Sequence, residues 1–343
     1  MSEQSEEFIT STKFSTIRRK GLNAIKTTPI DSVVKPHDPV CELAILKKLQ
    51  ENRIKHVIEL EDSSINQRIV SLKFPYIKEN LHQYLLKYFK KPRWNPYLLK
   101  SKEETLSFVN KLDINYAIDF FHQLSQALCF VHARQIIHRD VKLQNVLVDC
   151  SGTGVPNLVL TDFGIAYDVN NPQEPPENKI TDVSTSIYKA PELLFSVKNY
   201  MYAIDIWALL ILVSQLFQAS SKTENYIPAF VDDGSETFHQ GSDIRLISSI
   251  FHELGIPPIE EWPEVRDYGS PAFEGMFGSK GDGNYVLDQS EEEQRKTCLK
   301  LFPRLQEVAQ KRQSILISAL LRMLPFESTM RISSMELVEL LES

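Results

Sequence analysis

Between residues 137 and 164 the chain reads "IHRDVKLQNVLVDCSGTGVPNLVLTDFG", and no other stretch restricts the possible folds as much. Two short β-branched or leucine-rich runs flank Ser-Gly-Thr-Gly, which is a hairpin signal. Ahead of the hairpin Asp140, Lys142 and Asn145 fall within six positions, and Asp162 follows Asn145 by seventeen. A carboxylate that orients a hydroxyl, an ammonium that neutralises a phosphoryl group, and an amide with a second carboxylate that holds magnesium together suit phosphoryl transfer.

The surroundings of this segment divide the chain in two. Residues 8 to 26 and "RIVSLKFPY" have the rhythm of strands, as does "VIELED", while "DPVCELAILKKLQ" places Leu43, Leu46 and Leu49 at helical spacing. The first 77 residues thus read as a strand-rich unit with one prominent helix. From residue 112 onward helices dominate, beginning with Ile114, Ala117, Phe121, Leu124, Leu128 and Val131 stepping by three and four along one face. Three stretches, "KKPRWNPYLLKSKEE", "DVNNPQEPPENK" and "GSPAFEGMFGSKGDGN", have the proline, glycine and charge of solvated connectors.

Composition narrows the class. With 343 residues, 42% of them apolar, the chain can bury a large core as one domain or two lobes. A net charge of -7 argues against binding nucleic acid or an acidic membrane surface. The longest apolar run, "IDIWALLILVSQLF", is too short for a membrane span and reads as a buried helix. The N-terminus lacks the basic and apolar regions of a secretory signal. Cys41, Cys129, Cys150 and Cys298 have no ligand spacing, so neither a disulfide framework nor zinc is expected, and a reducing compartment fits, cytoplasmic or nuclear.

These residues resemble the eukaryotic protein kinases over nearly the full chain. His138, Arg139 and Asp140 match the catalytic loop, Asp162, Phe163 and Gly164 the magnesium-binding motif, and Ala190, Pro191 and Glu192 the end of the activation segment, 162 to 192. The resemblance implies an α+β bilobal fold, N-lobe 1–77 and C-lobe 78–343, using ATP and magnesium. It assigns Asp140 and Lys142 to catalysis and Asn145 and Asp162 to the metal. Lys26 in "AIK" becomes the phosphate-binding lysine and Glu42 its helix partner. Ile9, Ile17, Ala24 and the gatekeeper Phe74 would line the nucleotide site, with Pro75, Tyr76 and Ile77 as the connector that meets adenine. Asp205 and Arg331 match fold anchors, and Lys142 resembles the serine/threonine class.

Within the family, "TSIYKAPELLF" and "GSDIRLISSIFHELGIPPIEEWPEV" resemble the cyclin-dependent and mitogen-activated group. The departures say more. "KPHDPVCE" replaces the cyclin-binding motif, Cys41 and Tyr167 stand where two of three phosphate-pocket arginines would be, and Ile180 takes the place of the activating threonine, with Thr181 adjacent. In "ITSTKFSTI", Thr10, Thr12 and Ser15 replace the three glycines of the phosphate loop, and Lys13 and Phe14 replace two inhibitory phosphosites. A stiffer hairpin held farther from the nucleotide is expected, its hydroxyls able to donate to phosphate oxygens. Together these features resemble the fungal single-chain CDK-activating kinases. They imply a monomer that needs no cyclin and acts on the activation-loop threonine of a cyclin-dependent kinase. An ordinary proline-directed kinase is the alternative within the group, weakened by Ser184 near the +1 pocket, and a pseudokinase scaffold is the alternative outside it.

Overall fold

The computed structural model describes residues 6–91, 108–222, 226–233 and 241–343. Most of the connector "KKPRWNPYLLKSKEE", and with it much of the 86–112 region, lies outside them. The first strands are β1 (Glu7–Ser11), β2 (Thr16–Lys20) and β3 (Asn23–Pro29), followed by helix α1 (Pro39–Leu49), β4 (Asp62–Ile65) and β5 (Ile69–Pro75). They form one antiparallel sheet in the order β1-β2-β3-β5-β4. Its register sets Ile17 opposite Lys26, Lys26 opposite Leu72 and Ala24 opposite Phe74.

Helix α1 starts where the sequence supplies both stop and cap. Pro39 occupies its first turn, and Asp38 accepts the N–H groups of Val40 and Cys41 at 2.9 and 3.0 Å. Leu43, Ile45, Leu46 and Leu49 are buried beneath it. Its last turn is tied to the other half of the chain by Lys48, which donates to both carboxylate oxygens of Asp168 at 2.9 and 3.0 Å.

The stretch "VIELED" is not the strand its alternation suggests. β4 begins only at Asp62, and Val57 makes a single parallel bridge to Leu160. Val57 and Ile58 are apolar because they are buried there, not because they line a ladder.

The second half is mostly helical. After α2 (Leu81–Leu86) and a small sheet of β6 (Phe89–Lys90) and β7 (Phe108–Asn110) comes α3 (Ile114–Ala133). Next are β8 (Ile136–Ile137), the hairpin β9 (Val146–Asp149) and β10 (Asn157–Leu160), and β11 (Tyr167–Asp168), which pairs with β8. α4 (Pro191–Leu194) and α5 (Ala203–Leu216) follow, then β12 (Ser220–Ser221), which joins β7. The remaining helices are α6 (Asp243–Leu254), α7 (Pro263–Tyr268), α8 (Ala272–Phe277), α9 (Glu291–Leu301), α10 (Gln310–Arg322) and α11 (Ser334–Glu342).

Helix α5 is the hub. Thirteen of its fourteen residues are buried, as a helix with no polar face must be. Among the described residues no helix is long and apolar enough to cross a membrane. Helix α8 lies inside a stretch whose glycines read as loop. Phe273 packs against Phe195 and Trp262 to hold it, and Gly278 at φ 75° ends it.

Two buried ionic contacts fix the parts that matter for function. Glu192, at the start of α4, meets the Arg331 guanidinium in a bidentate pair at 2.8 and 3.1 Å, both side chains fully buried. Removing either partner strands a charge in the core at a cost of about 3–5 kcal/mol. Asp205 of α5 accepts the backbone N–H groups of His138 and Arg139 at 2.8 and 2.9 Å and faces His132 at 3.0 Å. Burial works against its charge, yet the bonds from His132 and His138 hold its carboxyl below the usual range.

Candidate active site

Four segments converge between the two halves. β3 brings Lys26, α1 brings Glu42, the loop before β9 brings Asp140, Lys142 and Asn145, and the turn after β10 brings Asp162. Lys26 Nζ donates to Glu42 Oε1 at 2.7 Å and to Asp162 Oδ1 at 2.9 Å. Burial disfavours its charge, but the Asp162 and Glu42 carboxylates more than compensate and hold the ammonium above the usual lysine range. Lys26 in turn holds the Asp162 carboxyl well below the usual carboxylate range, so Asp162 is ionised at any physiological pH. Asp162 lies at φ 63° and Arg139 at φ 69°, left-handed conformations that are uncommon outside glycine and cluster at functional sites.

Asp140 is held from three directions. Asn145 Nδ2 donates to its Oδ2 at 2.8 Å and to its backbone oxygen at 2.9 Å. Lys142 Nζ lies 2.8 Å from the same Oδ2, and Thr185 Oγ1 donates to Oδ1 at 2.9 Å. Lys142 also donates to Thr185 Oγ1 at 2.8 Å, which closes a triangle of Asp140, Lys142 and the Thr185 hydroxyl. His138 completes the loop, its Nδ1 accepting the Asp140 N–H at 3.2 Å and its Nε2 lying 3.0 Å from the Thr161 oxygen.

The donor set suits a hard divalent cation. Asn145 commits its Nδ2 to Asp140, which leaves its Oδ1 to face a metal, and Asp162 has a second carboxylate oxygen besides the one on Lys26. Among the described residues no group of three or more His, Cys, Asp or Glu side chains could hold a metal alone. A site of one carboxylate and one amide matches magnesium, which takes few protein ligands and completes its shell with water and substrate phosphates.

The nucleotide-facing residues are placed less uniformly. Ile17, Ala24 and Phe74 are half-buried on adjacent strands, whereas Ile9 is 38% exposed, at an irregularity in the β1–β2 register. In the connector Pro75, Tyr76 and Ile77 are half-buried, and the Tyr76 N–H is already given to the Leu22 oxygen at 2.8 Å. Contact with a base through that amide is therefore closed, and falls to its neighbours.

The hairpin that replaces the phosphate loop holds itself shut. Thr12 Oγ1 accepts the N–H groups of Phe14 and Ser15 at 3.2 and 3.1 Å and lies 3.1 Å from the Ser15 hydroxyl. The Thr12 and Ser15 hydroxyls are thus engaged in the turn. The tip is anchored instead by the Phe14 ring on His37, a residue that sequence reading passed over. A methyl group added at Gly164 would meet the His37 ring at 3.4 Å, so His37 lies between the hairpin tip and the Asp162 turn. Burial holds the His37 imidazole below its usual range.

Sequence reading also missed Thr185 and Glu174. Arg139 donates to Glu174 at 2.7 and 3.3 Å, both residues buried, and Tyr167 and Tyr200 lie under the guanidinium. Cys41 is close enough to feel this pair, but burial and then Asp38 push its thiol up to about 11, so it brings no charge. Nothing in linear spacing marks Glu174, thirty-five residues from Arg139 in a proline-rich stretch that reads as solvated.

Comparison with known proteins agrees with this geometry. The protein kinase domain family matches residues 10–339. The serine/threonine-protein kinase CAK1 of Saccharomyces cerevisiae is 40% identical, covering 98% of this chain and 96% of its own. The serine/threonine-protein kinase csk1 of Schizosaccharomyces pombe is 29% identical over 77% of this chain and 73% of its own, and cyclin-dependent kinase 2 of Caenorhabditis elegans 33% over 52% and 42%. A complete polar set, a bilobal arrangement and a full-length match leave one conclusion: the chain belongs to the protein kinase family, as a serine/threonine kinase related to CAK1 and the cyclin-dependent kinases.

Proposed function

We propose that this kinase phosphorylates the activation-loop threonine of a cyclin-dependent kinase, and that it does so as a monomer without a cyclin and without phosphorylation of its own activation segment. The substrate rests on the 40% identity to the CAK1 kinase, and one observation carries the independence from a cyclin. In cyclin-dependent kinases a second subunit seats the helix that bears the glutamate, whereas here α1 is held by its own chain. Asp38 caps it, Lys48 ties its last turn to Asp168, and Glu42 reaches Lys26 at 2.7 Å. Magnesium, when bound by Asn145 and Asp162, neutralises charge on the ATP phosphates. Asp140 orients the substrate hydroxyl and takes its proton, Lys142 offsets charge on the transferred group, and Lys26, braced by Glu42, seats the remaining phosphates. The proposal places the protein in the cytoplasm, the nucleus or both, where its substrate resides.

The test is to incubate the purified chain with magnesium-ATP and an unphosphorylated cyclin-dependent kinase, then to locate the phosphate. Label on the activation-loop threonine is the expected result, and label elsewhere or none overturns the assignment. A peptide panel with and without proline at +1 tests the proline-directed alternative. Ser184 stands where a hydrophobic residue would lie near the +1 pocket, its hydroxyl given to the Arg139 oxygen at 2.8 Å, and on that replacement proline at +1 is expected to matter little.

A further inference from the structure

We infer that Glu174 is a positioning residue for the kinase reaction, its carboxylate taking the place beside Arg139 that an activating phosphate takes in kinases that require one. The inference rests on the proposed activity without activation-segment phosphorylation, and it supplies that activity with a physical cause.

The geometry is that of a clamp. Glu174 Oε1 receives Arg139 Nη1 at 2.7 Å, while Oε2 receives Nη2 at 3.3 Å and the Ile180 backbone N–H at 2.7 Å. One carboxylate thereby joins the residue before Asp140 to the middle of the activation segment. The segment is fastened on both sides of that bond. The Tyr167 hydroxyl donates to the Glu174 backbone oxygen at 3.2 Å, and the Tyr200 hydroxyl to the Ile180 oxygen at 2.6 Å. Four and five residues beyond Ile180, Ser184 donates to the Arg139 oxygen at 2.8 Å and Thr185 to Asp140 at 2.9 Å. The segment therefore reaches the catalytic loop at three successive points, of which Glu174 is the first.

Charge balance favours a carboxylate here. A phosphate carries close to two negative charges and is normally met by several guanidinium groups. The cation in contact with Glu174 is this one guanidinium, with Tyr167 4.6 Å from it and a neutral Cys41 nearby, while the second cation of the pocket, Lys179, lies over the same tyrosine rings and gives its ammonium to the Pro176 oxygen. Arg139 is 1% and Glu174 7% exposed, so the pair is screened little by solvent. The Arg139 Nε has no partner, so the hydrogen bonds that fix the guanidinium over the two tyrosine rings are those from Nη1 and Nη2 to Glu174. A phosphate added to Thr181 meets an arginine already engaged.

The test compares wild type, Glu174→Gln and Glu174→Asp, read both as transfer to a cyclin-dependent kinase and as magnesium-dependent ATP hydrolysis, so that it does not hang on the substrate. Glu174→Gln is expected to lower kcat at least tenfold with the ATP KM within about twofold of wild type, and Glu174→Asp to lose less, because the charge remains. A lowered thermal midpoint with wild-type kcat per folded molecule identifies a merely structural contact and overturns the inference. Should Glu174→Gln not fold, Glu174→Asp decides alone, since a shortened side chain cannot reach Arg139 and Ile180 together, and wild-type kcat overturns it. In parallel, wild type is treated with phosphatase. Loss of its activity overturns the proposed phosphate independence, whereas retained activity beside a fully active Glu174→Gln overturns the role of Glu174 alone.

Discussion

The Phe14 ring lies against the His37 imidazole with centroids 4.1 Å apart, and this contact fixes the tip of a phosphate-loop hairpin that has no glycine. An aromatic pair of this kind is worth about 0.5–1.5 kcal/mol beyond its burial. Phe14→Ala is therefore expected to raise the ATP KM roughly three- to tenfold with little change in kcat. Restoring glycine at positions 10, 12 and 15 should shift ATP affinity only modestly, because two of the three hydroxyls it removes, those of Thr12 and Ser15, are spent within the turn. Steady-state kinetics at varied ATP checks both, and an unchanged KM in Phe14→Ala shows that the hairpin tip does not set nucleotide affinity.

Lys26 and Asp140 separate binding from chemistry. Lys26→Met removes the one ammonium that bridges Glu42 and Asp162, leaving two carboxylates facing a site meant for phosphates. Transfer should fall by at least roughly 10²–10³-fold. Asp140→Asn should cut turnover by roughly 10²–10⁴-fold while leaving ATP binding intact, as read by calorimetry beside the activity assay. Retained transfer in Asp140→Asn removes that residue from its role.

Thr185 offers a test that depends on no assumption about activation. Its hydroxyl joins Lys142 to Asp140, so Thr185→Ala frees both from a shared partner. A loosened base is expected to lower kcat roughly ten- to hundredfold. Thr185→Ser, which keeps the hydroxyl, should restore most of the loss. Equal kcat in the alanine and serine variants shows that the bond does not position the base.

Glu264 predicts a pH dependence of stability. It is largely buried, close to Glu192, and its carboxyl is pushed up to about 7 by burial and then by that neighbour. A folded value above the unfolded one means that the folded chain binds the extra proton. The stabilising contribution is full below about pH 4.5 and is lost as pH rises through about 7. Denaturant melts at pH 5 and pH 8 should show Glu264→Gln losing less stability over that interval than wild type. An equal loss means that Glu264 titrates normally.

The polar set of the candidate site was legible because its chemistry is carried by residue types at short spacing. Asp140, Lys142, Asn145 and Asp162 fall within twenty-three positions, α3 announces itself by periodicity, α5 by an unbroken apolar run and the β9–β10 hairpin by its glycine turn. What failed was local pattern in places where tertiary burial decides. Ile58 and Leu60 alternate with Glu59 and Glu61, yet Val57 and Ile58 are buried and joined to the Leu160 backbone outside any strand of their own, and "AFEGMF" forms α8 amid glycines because Phe273 is buried. Glu174 and Lys179 sit in a proline-rich polar stretch, and both are buried around Arg139 and two tyrosines. Polar burial of this kind depends on a partner thirty-five residues away and leaves no periodic trace. His37 and Thr185 were missed for the same reason: each gains its role from a contact with a residue far along the chain, Phe14 for His37 and the Asp140–Lys142 pair for Thr185.

A phosphate is put on by one enzyme and taken off by another, so a kinase that depends on it has a setting. The carboxylate of Glu174 is joined to its chain by carbon–carbon bonds and no phosphatase can remove it. On the proposed role of Glu174, this contact gives the enzyme no setting that a phosphatase could change. Control of its output then falls on other levers, the number of copies present among them.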